Sequence, residues 1–179
     1  MSKTLRLLAA LAIVLGAVAG CKHEKKGNEP EAFAFVVYPG ARYLSQMTDL
    51  NKQAHKMLAP TEEPPPTEIF DTDAPLESVA EFYAKSYGYG KVAPDSTNNL
   101  SPAKPPAFYR GGDIAVDTKA IEPILQKMNL KVDQSKATGR YKGAEIAGKQ
   151  NRPRVTLQRP YFDLTTSQMV DRTIILMAK

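Results

Sequence analysis

Tryptophan is absent from this sequence, cysteine occurs once and histidine only twice. A single thiol cannot close a disulfide within the chain, so the fold must stand on its core. Cys21, His23 and His55 cannot supply the four ligands of a usual zinc site. No cofactor is expected. Also missing are a G-x-S-x-G nucleophile motif, a calcium-loop spacing and any internal repeat. Tyr87-Gly88-Tyr89-Gly90 reads as a helix end, because the strand, lysine and helix start of a phosphate-binding loop are not around it. The enzyme classes that announce themselves by short signatures are therefore excluded.

What is present begins with the first twenty residues. Lys3 and Arg6 precede Leu7 to Gly20, a run of small or apolar residues containing no acid. As a helix rising ~1.5 Å per residue, fourteen residues span roughly 21 Å, short of the ~30 Å hydrocarbon core. Residues 1–20 read as a secretory signal. Ala17-Val18-Ala19 fits ordinary signal peptidase, whereas Val18-Ala19-Gly20-Cys21 resembles the lipobox of bacterial lipoproteins. The second reading puts the only cysteine where a lipid is attached, so Cys21 is the expected lipid-attachment site and mature N-terminus. Several acyl chains on one residue anchor stably, where one chain binds only marginally. The expected location is the cell envelope, facing the periplasm or cell surface. Lys22, not being Asp, favours the outer membrane under the enteric sorting rule.

Residues 21–34 carry charges of both signs with Gly27, Asn28 and Pro30, and read as a flexible tether. Residues 35–179 are long enough for one domain with a true core. A strand is expected over Phe35 to Tyr38, a turn at Pro39-Gly40 and a helix over roughly 45 to 58, ended by prolines. Ile69-Phe70 reads as a short strand, and Asp73 as the cap of a helix burying Leu76, Val79, Ala80, Phe82, Tyr83 and Tyr87, with Gly88 its stop. Phe108 to Val116 reads as a hairpin turning at Gly111-Gly112, and Asp117 as the cap of the next helix. Strands near 138–147, at 154–158 and at 172–178 complete the pattern, the last two pairing antiparallel. The fold class expected is α+β, an antiparallel sheet packed by two or three helices.

Asp71, Asp73 and Glu77 are placed for helix capping and dipole complementation. The alternative gives Asp71 and Asp73 to an envelope-polymer hydrolase as its carboxylates. His55, among Lys52, Gln53 and Lys56, reads as part of a solvated helix face. Residues 131–159 hold eight basic and two acidic side chains. Lys142, Arg152, Arg154 and Arg159 are the candidate residues of an anionic surface-binding strip, with anionic lipid or a cell-wall polymer as partner. Nucleic acid is not an expected partner of an exported protein, and no protein partner can be named.

Tyr38-Pro39-Gly40-Ala41, Asp71 to Leu76 with Val79, Phe82-Tyr83 and Lys85, and the NRPRVTLQRPYFDLTTSQ stretch resemble uncharacterised bacterial lipoproteins with a Y-P-G-A turn and a later F-Y helix. The resemblance implies a lipid-anchored protein of this architecture. It implies no activity and no catalytic residues, which leaves a non-catalytic binding or assembly role as the expected function.

Overall fold

A computed structural model describes residues 35–94 and 105–179, so the expected signal, Cys21 and the tether lie outside the described residues. In chain order the elements are β1 (Arg42–Tyr43), α1 (Ser45–Leu58), β2 (Thr67–Thr72), α2 (Leu76–Ser86), β3 (Ala107–Asp113) and α3 (Ile114–Ala120). There follow α4 (Glu122–Lys127), β4 (Arg140–Ile146), β5 (Arg154–Arg159), β6 (Tyr161–Asp163), β7 (Gln168–Val170) and β8 (Thr173–Ala178). Six strands form one antiparallel sheet in the order β1-β2-β8-β5-β4-β3, and β6 pairs with β7 in a separate hairpin. The protein is α+β with an antiparallel sheet, as its mixed strand and helix signals imply.

The sheet is covered on both sides, which explains why β8 reads as the unbroken run TIILMA, buried at every position. Ile175 and Met177 point to the face carrying α2, and Ile174 and Leu176 to the face carrying α1. On the first face Leu76, Val79, Ala80, Tyr83 and Ala84 recur at helical spacing and pack against Ala144, Ile146, Val155 and Leu157. Burial of a side chain the size of Leu157 contributes roughly 1.5–3 kcal/mol. α2 ends in paired bonds, Tyr89 N to the Ala84 carbonyl at 2.8 Å and Gly88 N to that of Lys85 at 3.0 Å. This closure needs the left-handed backbone that Gly88 adopts at φ 73°.

Five expectations are corrected. Phe35 to Tyr38 is not a strand; the chain first turns at Pro39-Gly40, and the two-residue β1 follows it. No hairpin forms at Gly111-Gly112, because β3 runs through both glycines in continuous register with β4. A Cβ on Gly112 would lie 2.5 Å from the Tyr141 ring, so glycine here makes room for a cross-strand neighbour instead of a turn. Asp113 caps α3, its Oδ1 accepting from Val116 N at 3.2 Å, and Asp117 lies inside that helix. The helix expected beyond it is two short ones, broken at Ile121 where Pro123 has no N–H to continue the ladder. Finally, His55 is 5% exposed and so lies on no solvated face; its neighbour Ala54 packs against Ile124 of α4 and the adjoining Met128.

Candidate functional site

Asp71 is wholly buried in β2, where Arg42 and Tyr161 hydrogen-bond to it and Arg172 forms an ion pair with it. Arg42, its register partner in β1, donates from Nε to Oδ1 at 3.1 Å and from Nη2 to Oδ2 at 2.8 Å. Tyr161 donates its hydroxyl to Oδ2 at 2.9 Å, and Arg172 Nε stands 3.0 Å from the same oxygen. This is the bidentate, charge-assisted geometry that a buried carboxylate requires. The hydrogen bond to Asp71 and its charge raise the Arg42 guanidinium above its ordinary pKa, and burial followed by the Asp71 charge raises the Tyr161 phenol. Asp73 pairs with Arg172 Nη1, and Glu77 lies 3.6 Å from Lys142. The residue at the α2 N-cap position is Pro75, and no side chain caps the helix. Asp73 therefore does not cap, and Asp71 is a structural ion-pair centre with no room for a substrate.

Each of the four candidate surface cations also has a partner inside the domain. Arg152 donates to the Ser86 carbonyl and its guanidinium lies 5.3 Å from the Tyr87 ring centre. Arg154 pairs with Glu145, and Arg159 with Asp171 at 3.0 Å as well as with the carbonyls of Asp73 and Ala74. Lys142 is the most open of them and is directly opposite Arg159 in the β4–β5 register. Strand alternation puts Lys142 and Arg159 on the face of α2 and Arg154 on the opposite face. They do not make one continuous strip. Arg152 and Lys149, which donates to the Tyr87 carbonyl at 3.0 Å, instead supply positive charge at the α2 C-terminus, where it complements the helix dipole.

An apolar concavity lies on the other side of the sheet. It encloses about 60 Å³ between α1, α3 and the sheet, walled by Met47, Leu50, Ile69, Ile114, Ile121, Phe162, Leu164 and Ile174. Asn51, Asp117, Thr118 and Tyr161 complete the lining. The Asp117 side chain is held in place from behind. Arg110 extends over Gly143, lies 5.6 Å from the Tyr141 ring centre and donates to the Tyr141 hydroxyl at 3.4 Å, while its Nε is 3.4 Å from Glu145. Oδ2 of Asp117 is buried without a hydrogen-bond partner. Burial raises the Asp117 pKa above the ordinary carboxylate value, with Tyr141 and Arg110 acting in the opposite direction, and burial lifts the Tyr141 phenol to about 12. An apolar pocket with one convergent polar group of perturbed acidity is the feature expected of a ligand site.

Sequence reasoning missed this site because its walls come from β2, β6, β8, two helices and the junction at Ile121, and because Asp117 looks like a cap beside an apolar run. Among the described residues no cluster of three metal-ligating side chains occurs, and no helix is long and apolar enough to cross a membrane. The chain matches no protein-family model, no curated protein and no solved structure.

Proposed function

We propose that this chain is a lipid-anchored protein of the bacterial cell envelope, acylated on Cys21, tethered through residues 22–34, and that its domain binds rather than catalyses. The observation that carries the second half is the state of the two carboxylates a hydrolase would use. Asp71 is held by Arg42, Arg172 and Tyr161, Asp73 is paired with Arg172, and neither lines the apolar cleft. The cleft offers one carboxyl, Asp117; of its two hydroxyl residues, Tyr161 gives its proton to Asp71, and Thr118 has no histidine or lysine in the lining to activate it. The anchor rests on the Val18-Ala19-Gly20-Cys21 box after a basic, then apolar, leader, and outer-membrane residence on Lys22.

The test is the intact mass of native protein from detergent-solubilised membranes, measured beside Cys21→Ser. The expected mass is that of the chain from Cys21 plus acyl groups, lost in the variant together with membrane retention. A lipid-free mass beginning at Gly20 would replace the anchor with a secreted domain bearing a free thiol.

A further inference from the structure

We propose that the cleft between α1, α3 and the sheet binds a small aliphatic molecule whose polar head donates a hydrogen bond, an alcohol or a primary amine, with Asp117 receiving the head. This rests on the binding reading above and specifies its ligand. The walls that would hold the chain are aliphatic from both layers, Ile69 and Ile174 from the sheet and Ile114 and Ile121 from the helical layer. Tyr161 also lines the cleft, but its hydroxyl proton is committed to Asp71, so it has no donor left to offer a ligand. Asp117 is different: the Tyr141 phenol acts on its carboxyl by hydrogen bonding, but Oδ2 is shielded from water and has no hydrogen-bond partner. A buried acceptor without a donor is costly, and a ligand O–H or N–H at that oxygen would remove the cost, so the cleft discriminates in favour of donors.

Size and electrostatics narrow the class. The enclosed volume of about 60 Å³ is less than half of the ~150 Å³ that accommodates benzene in a buried apolar cavity. A straight chain of a few carbons fits, and its end can leave past Leu50 and Leu164, both only half-buried. A carboxylate head would set acceptor against acceptor at Asp117. Arg110 does not line the cleft: its Nη1 donates to Tyr141 and its Nε faces Glu145, while Nη2 is buried behind the wall without a partner.

The experiment is an amide NMR titration of the exported Cys21→Ser chain, purified without detergent, with 1-hexanol, hexylamine and hexanoate as probes. Hexanol and hexylamine should give saturable shifts at the Thr118 and Ile121 amides, with hexanoate at least tenfold weaker. Hexylamine binding tenfold tighter than hexanol would assign the head contact to a charged Asp117; equal affinities would assign it to the hydrogen bond alone. Leu50→Trp should block all three probes with the sheet amides unchanged. Should that variant unfold, Asp117→Leu carries the test, because it should abolish the preference between heads and retain the alkyl chain. No saturable shift with any probe, hexanoate binding as well as hexanol, or a head preference that survives Asp117→Leu would overturn the proposal. Such a failure alongside an acylated Cys21 would remove the ligand assignment and leave the anchor intact.

Discussion

Asp71 and Asp117 are the two carboxylates whose surroundings matter most, and they are treated oppositely. Asp71 has donors for both oxygens, so its charge is compensated where it is buried. Asp71→Asn removes the charge and leaves Arg172, itself only 25% exposed, with the exposed Asp73 as its remaining counter-ion. Breaking a buried pair from one side costs about 3–5 kcal/mol; here Arg42 is open enough to rehydrate, so a loss of about 3 kcal/mol is expected in denaturant or thermal unfolding. A change below about 0.5 kcal/mol would mean that the cluster does not hold the strands.

Asp117 has the reverse problem, and its sign can be worked out. Its folded pKa lies above the unfolded value, so the folded state takes up the proton more readily. Stability contributed by this group is greatest below the unfolded value of ~3.9 and declines as pH rises through that value to the folded one. Asp117→Asn cannot ionise. It should raise the melting temperature near neutral pH and change it little at about pH 3. A difference independent of pH would show that the carboxyl is not held in the desolvated position described. Neither role is legible locally: the partners of Asp71 in the hydrogen-bond network lie 29 and 90 residues away, and Asp117 is flanked by residues that look like an ordinary helix start.

At the level of elements, periodicity was a good guide wherever one face is buried. α1 occupies Ser45–Leu58 as its spacing implies, and α2, β5 and β8 fall where their patterns place them. Glycine was the misleading residue, because a glycine pair reads as a turn whether it bends the chain or admits a neighbour. In β3 and β4 it admits neighbours: Tyr141 lies against Gly112 and Arg110 against Gly143. A Cβ on Gly143 would meet the backbone carbonyl of Leu157 at 2.8 Å, an atom that cannot swing aside. Gly143→Ala should therefore cost about 1–3 kcal/mol by urea denaturation, through spreading of β4 from β5. An alanine variant as stable as the parent would mean that the two strands have slack at this register.

For the molecule as a whole, composition and order of elements were enough to determine the class. Strands and helices mixed without regular alternation, and a final third dense in β-formers, require an antiparallel sheet with helices packed on it, and that is the architecture. The proposed leader, lipid-attachment box and tether are readings of consecutive residues, and they rest on the sequence alone. What only the tertiary structure decided is where charge and cavity lie. It drew Arg152, Arg154 and Arg159 into internal partnerships, put Lys142 and Arg154 on opposite sheet faces, and turned His55 inward. It also surrounded Asp117 with apolar walls from distant segments. The reason is physical. Periodicity records which side of an element is buried, but compensation of a charge and closure of a cleft depend on side chains brought together across the sheet, whose separation in sequence leaves no local trace.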